Sequence, residues 1–326
     1  MKQRSLTAAV LLAIFIPLVV VSDLFILFQL LMMGLSVVAS FELIRMYEKK
    51  KKYSIVSKVI ISLCSLSIYL AALVEWNPQS TVSEHLQLLN MRIEFLPTLI
   101  LVALVLFSNS VLNKNFDGED VGKSLVVCIY AGLGFAAITI LRYMGIRYIV
   151  YLFLITCMTD AFAYFFGRAF GKHKMAPTIS PKKTWEGAIG GTCVACIVGT
   201  CFAFFYESAF GSIFGASGPQ GFLSGLIISD EVLKRGAQFI IILGVTFLAS
   251  VFSQIGDLVA SRLKRQYELK DFGRIFPGHG GVIDRLDSAL FTGIFLLSIF
   301  SIINNLLPMI QSVFNSVEII KLMVNF

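Results

Sequence analysis

Charge is scarce in this sequence. Only 14% of its 326 residues are Asp, Glu, Lys or Arg, where a soluble globule carries about 25%. Apolar residues reach 57%, against roughly 45–50% in soluble domains. That balance excludes an ordinary water-soluble enzyme and implies a polytopic membrane protein, because a lipid-facing helix must be apolar on all sides. A Walker loop is missing, since no G-x-x-x-x-G-K-[ST] occurs, which argues against an ATPase of that class. No Ser-His-Asp hydrolase elbow is present either. The six cysteines (Cys64, Cys128, Cys157, Cys193, Cys196 and Cys201) all fall inside hydrophobic runs, none grouped with histidine. Cys193 and Cys196 form a C-x-x-C in mid-run, where they read as small packing residues. There is no soluble basic domain, so the net charge of +7 is a topology signal with some attraction for anionic lipid, and nucleic acid is not an expected partner. Internal repeats and low-complexity tracts are absent as well.

What is there is a series of long hydrophobic runs. A spanning helix needs about 20 mostly apolar residues, and nine runs qualify: roughly 6–22, 24–44, 54–74, 96–112, 124–141, 148–166, 188–206, 237–256 and 288–307. The expected fold is therefore an all-α, polytopic helical bundle integral to the membrane, with about nine transmembrane helices. It divides into N-terminal helices over 1–145 and C-terminal helices with cytoplasmic loops over 146–326, as one membrane unit. The first run follows a basic start, but no small-residue cleavage site precedes the second, so it reads as an uncleaved helix. "GFLSGLIIS" (221–229) is too short to span and reads as a loop or interfacial piece. The final "QSVFNSVEIIKLMVNF" reads as an interfacial helix. With the N-terminus in the cytoplasm, 21 of the 27 Lys and Arg residues fall on the cytoplasmic side and six on the other, which sets the orientation. "YEKKKKY" (47–53) is a positive-inside anchor.

Two regions break the hydrophobic pattern with more than simple turns, and both face the cytoplasm in this topology. One runs from Asp160 to Gly191, and the other is "SRLKRQYELKDFGRIFPGHGGVIDRLDS" (261–288), preceded by "SQIGD". Ten of those 28 residues are Asp, Glu, Lys or Arg, between runs that carry no charge. Asp160, Tyr164 and Arg168 are spaced i, i+4, i+8, so a helix lines them along one stripe. An acid as deep in a run as Asp160 is costly and usually faces a polar cavity or a partner helix. Asp257, Ser261 and Lys264 or Arg265 repeat the spacing. Asp284 and Asp287 are i, i+3 neighbours at the start of the last run. Carboxylates that converge without cysteine or histidine favour a hard, oxygen-seeking ion, Mg²⁺ above all, with room for a second metal or a monovalent ion. Arg274 and Arg285 offer the alternative of a plain salt-bridge cluster.

"SPKKTWEG" (180–187) places Lys182, Lys183 and the Ser180 and Thr184 hydroxyls just before a helix start, where unpaired N–H groups and the helix dipole favour anions. Lys264, Arg265 and Lys270 come from the other region. A Lys pair alone at a membrane edge is a topology marker; with hydroxyls, a helix start and facing carboxylates it suggests a polyphosphate and metal site. "PGHGG" (277–281) is a flexible turn in which His279 is either structural or a donor to phosphate.

The second region resembles the signature of phosphatidate cytidylyltransferases (CDP-diacylglycerol synthases): Ser-x-x-Lys-Arg, four residues, Lys-Asp, then His-Gly-Gly, two residues, Asp-Arg, one residue, Asp. Ser261, Lys264, Arg265, Lys270, Asp271, His279, Gly280, Gly281, Asp284, Arg285 and Asp287 fill its fixed positions without departure. "DAFAYFFGRAFGKHK…SPKKTWEG" also looks like that family, and the resemblance covers roughly residues 150–300. It implies transfer of CMP from CTP to phosphatidate, with release of pyrophosphate, at a bacterial-type cytoplasmic membrane. In that reading Asp257, Asp284, Asp287 and Asp160 hold Mg²⁺. Lys264, Arg265, Lys270, Asp271, His279 and Arg285 belong to the catalytic loop, and Ser180, Lys182, Lys183, Thr184, Ser261 and Arg168 bind substrate. A homo-oligomer is compatible with it. The competing activities are cytidylyl transfer to an isoprenoid ether lipid, a CTP-dependent polyprenol kinase that releases CDP, and a secondary transporter; the one-sided clustering of charge and the lack of an inverted repeat count against transport.

Overall fold

The computed structural model describes residues 13, 15–76, 93–210, 235–275 and 280–324. Eight helices among them are long and apolar enough to cross a membrane, and they coincide with the second to ninth expected runs. The first run falls largely outside the described residues, although 15–20 are helical. In chain order the helices are α1 (Phe25–Tyr47), α2 (Ile55–Trp76), α3 (Phe95–Leu112), α4 (Gly118–Val127), α5 (Gly134–Met144), α6 (Ile146–Phe170), α7 (Trp185–Phe210), α8 (Arg235–Gln266) and α9 (Ile283–Val324). A six-residue π-turn, Cys128–Leu133, joins α4 to α5 as a single span. Segment 221–229 lies outside the described residues. The stretch expected as an interfacial helix is helical and continuous with α9, which runs unbroken to Val324. At 42 residues that helix is about 63 Å long and must project beyond the hydrocarbon core.

Among the described residues the one sheet is a small hairpin, β1 (Lys174–Ala176) with β2 (Ser180–Thr184), paired Lys174↔Thr184 and Ala176↔Ser180. It feeds directly into α7. Thr184 caps that helix, its hydroxyl accepting the Gly187 N–H at 3.2 Å. Glu186 in the first turn accepts the His173 N–H and meets His173 Nδ1 at 2.6 Å, so the hairpin is strapped to the helix it precedes.

Small residues decide how α6 and α7 pack. Ala163, Gly167 and Gly171 lie every fourth residue on one helix, and Gly187 and Gly191 do the same on the other. A Cβ on Gly187 would stand 2.5 Å from the Ala163 carbonyl, and one on Gly191 2.5 Å from that of Thr159. Backbones that close associate in a bilayer through van der Waals contact, since lipid supplies no hydrophobic drive between helices. Hydroxyls add polar cross-links: Thr159 Oγ1 to Ser250 Oγ at 2.7 Å, Ser250 Oγ to Thr192 Oγ1 at 3.2 Å, and Gln254 Nε2 to Thr192 Oγ1 at 2.8 Å. Such bonds are worth about 0.6 kcal/mol each on average; the set of three fixes α6, α7 and α8 in register.

Four loops meet at one end of the bundle. Lys51, after α1, reaches Asp117 and Asp120 ahead of and within α4, at 2.6 Å each. The paired Lys51 ammonium holds the Asp117 carboxyl below its usual range. Lys50 lies 5.0 Å over the Tyr267 ring beyond α8, and Lys183 of the hairpin reaches α8 itself. The loops that share this end are the ones richest in Lys and Arg.

Candidate active site

The site is built where the ends of α6, α8 and α9 converge under the hairpin. α8 runs ten residues past its expected boundary, through "DLVASRLKRQ", before it stops at Gln266. That extension makes the charged stretch helical and turns Asp257, Ser261 and Lys264 onto one face. Ser261 Oγ donates to Asp257 Oδ1 at 3.4 Å. Lys183 Nζ, from the hairpin, meets Asp257 Oδ2 at 2.6 Å, with both side chains about one-third exposed or less. The two charged regions separated in sequence therefore meet in space.

α9 brings the second pair of acids. Asp284 is nearly enclosed, its side chain only 4% exposed. It accepts Lys264 Nζ at 2.9 Å, Phe272 N–H at 2.7 Å and Gly281 N–H at 2.9 Å. The Lys264 ammonium also lies 5.2 Å from the Phe272 ring centre. Asp284 thus ties the loop after α8 back onto the start of α9. Asp287, one turn further, accepts the Ser288 N–H at 2.8 Å. Ser288 Oγ also donates to Asp160 Oδ2 of α6 at 3.4 Å. Asp160 is exposed on the flank of α6. Its stripe partners Tyr164 and Arg168 are exposed along the same helix. Asp160, Asp257 and Asp287 lie close enough for their charges to act on one another.

Four carboxylates therefore face two ammonium groups, Lys183 and Lys264, leaving two formal negative charges between the three helices. Like charges gathered this way call for a compensating cation. The donors are all oxygens, which suits Mg²⁺. Asp160 and Asp287 each accept from Ser288 at one oxygen and have the other for a cation; Asp257 would have to release Lys183, and Asp284 Lys264, to join them. Among the described residues no three acidic, His or Cys side chains close on a single point.

Other expected site residues are characterised by their exposure alone. Lys182, Arg265, Lys270, Asp271 and Arg285 are exposed, and Ser180 is half-buried. Thr184 is buried against Gly167 and Gly171 as a helix cap, a structural place the sequence reading did not anticipate. His279 lies outside the described residues.

Two residues that sequence reasoning passed over also reach the site. The Tyr130 hydroxyl, on the π-turn, donates to the Asp287 carbonyl at 3.3 Å; such turns inside α-helices are frequent at functional sites. Glu42 of α1 accepts the Val282 and Ile283 N–H groups at 3.0 and 3.1 Å. A lone Glu inside an apolar run was the only available hint of the latter.

Comparison with known proteins agrees with this picture along most of the chain. The profile of the Cytidylyltransferase family matches residues 2–303. The phosphatidate cytidylyltransferase of Staphylococcus haemolyticus (strain JCSC1435) is 35% identical over 294 residues, covering 89% of this chain and 95% of that protein. Proteins of the same name from Staphylococcus aureus (strain COL) and Staphylococcus epidermidis (strain RP62A) are 33% and 34% identical over 295 and 292 residues, with the same coverage.

Proposed function

The chain belongs to the cytidylyltransferase family, and from that premise we propose that it transfers the CMP unit of CTP to phosphatidate, giving CDP-diacylglycerol and pyrophosphate. The observation that carries the reading is the junction of Lys183 with Asp257 beside Asp160 and Asp287: acids and phosphate-seeking cations share one cleft at a helix-bundle end. The cleft lies on the cytoplasmic side of a bacterial inner membrane, where CTP arrives from water. Phosphatidate enters sideways while its chains stay in the bilayer.

The acceptor needs little activation, because a phosphate monoester is already anionic near neutral pH. One of its oxygens attacks the α-phosphorus of CTP, and the bond from that phosphorus to the β-phosphate bridging oxygen breaks. The difficulty is to bring two polyanions together in line and to offset charge on the leaving pyrophosphate. Lys183 and Lys264, each paired with an acid, are placed to exchange that acid for substrate phosphate. Lys182, Arg265 and Arg285, all exposed, steer and clamp the triphosphate. Arg168, with Tyr164 on the open stripe of α6, faces the lipid headgroup. Ser180 and Ser261 add hydroxyl donors, and Lys270 and Asp271 belong to the loop between α8 and α9. Asp160, Asp257 and Asp287 would hold a divalent cation, Mg²⁺ in this reading, which when bound supplies charge neutralisation at the phosphates.

Purified protein given phosphatidate, Mg²⁺ and CTP labelled at the α-phosphorus should yield labelled lipid and free pyrophosphate. Transfer of a γ-label to lipid with release of CDP would instead make it a kinase.

A further inference from the structure

The carboxylate of Glu42 has no place in the chemistry above, yet it is 5% exposed and sits at the centre of the site's framework. The first N–H groups of any α-helix lack partners within the helix. For α9, the helix that carries Asp284 and Asp287, Glu42, about 240 residues earlier, takes the N–H of Ile283, its first residue, and of Val282 just ahead of it. Asp284 of the same helix takes the N–H of Gly281 in the turn that leads into it. Two carboxylates thus cap one helix start and satisfy its dipole, one local and one reaching in from α1.

The fit leaves no room for any side chain opposite. A Cβ on Gly281 would stand 2.4 Å from Glu42 Oε1, and one on Gly273 2.1 Å from the same atom. Neither glycine has a left-handed backbone, so conformational freedom does not explain them. Space for the Glu42 carboxylate does.

The geometry points to Glu42 as a positioning residue for the reaction: through the Val282 and Ile283 amides it sets the start of α9 and so places Asp287, with Gly273 and Gly281 as the notch that admits it. The role makes the N-terminal helices part of the active-site framework. It rests on the cytidylyl-transfer reading only for its kinetic consequence, since the cap itself is independent of the reaction.

The test uses full-length protein in nanodiscs. Glu42→Gln keeps the volume but loses the charge and presents an amide where one N–H points. Backbone hydrogen exchange in the peptide containing Val282 and Ile283 should become roughly 5- to 30-fold faster, as for loss of a helix cap, while α6 and α7 exchange as before. Turnover number should fall about 100-fold, the scale of an ångström-sized misplacement, with KM for CTP nearly unchanged. Gly281→Ala should cost a similar factor alone, and the double variant Glu42→Ala/Gly281→Ala should be no worse than either single change, because the collision and the lost cap are one defect. Strictly multiplicative losses, exchange that rises throughout the bundle but not at 282–283, or normal turnover in Glu42→Gln would overturn the assignment. If wild-type protein makes no labelled lipid, the reaction is wrong, and the exchange measurement still decides the placement of Glu42.

Discussion

Asp284 and Asp287 show how two identical side chains three residues apart acquire different work. Asp284 is saturated by Lys264 and two backbone amides, whereas Asp287 accepts from its neighbour Ser288 and lies within reach of the charges of Asp160 and Asp257. Asp287→Asn should therefore leave the thermal unfolding midpoint in detergent within a few degrees of wild type while lowering turnover by about 100-fold or more; wild-type turnover would remove Asp287 from the cation site. Asp284→Asn should do the reverse in part. It strips the charge from a buried pair and should destabilise by about 3 kcal/mol, seen as an earlier unfolding transition and easier cleavage at Lys270 and Arg274. The acids and lysines were legible in the sequence because charge in an apolar chain is conspicuous and the helical spacing aligns it. Glu42 and Tyr130 were not, since each acts only through a backbone group more than 150 residues away.

Elements repeat the lesson at larger size. Hydropathy alone placed the eight described spans, for the bilayer demands long apolar helices and little else looks like one. It missed the reach of α8 past its apolar part, because hydropathy weighs the charge of 257–266 against a helix and ignores its i, i+4 pattern. The hairpin was hidden too: strands of three and five residues carry no readable alternation, and the Glu186–His173 contact that ties it to α7 spans 13 residues. The glycine stripes were in plain view, but their meaning required knowing that α6 and α7 are partners. Gly191→Ala would drive a methyl into the Thr159 carbonyl and the Ala163 backbone. It should cost about 1–3 kcal/mol, measured as a lowered unfolding midpoint. Turnover should fall as well, since the same contact sets the depth of Asp160 against the hairpin.

For the molecule as a whole, the ion pairs across four loops put the basic residues and the acidic cleft at one end. Lys52 and Arg274 are exposed there. Single cysteines at these positions, in a background without the six native ones, should resist a membrane-impermeant maleimide in intact cells and react in inverted vesicles; labelling in intact cells would reverse the topology. The N-terminal half, which in sequence looks like generic membrane helices, proves to be tied to the catalytic half through Glu42, Tyr130 and Lys50.

What everything else depends on is that carboxylates from α6, α8 and α9 act together on one divalent ion. Manganese binding followed by electron paramagnetic resonance on the full-length protein in nanodiscs addresses it directly. Wild type should show saturable binding that weakens about 10-fold or more in each of Asp257→Asn and Asp287→Asn. Equal binding by all three proteins would place the ion elsewhere and leave the cleft without its organising charge.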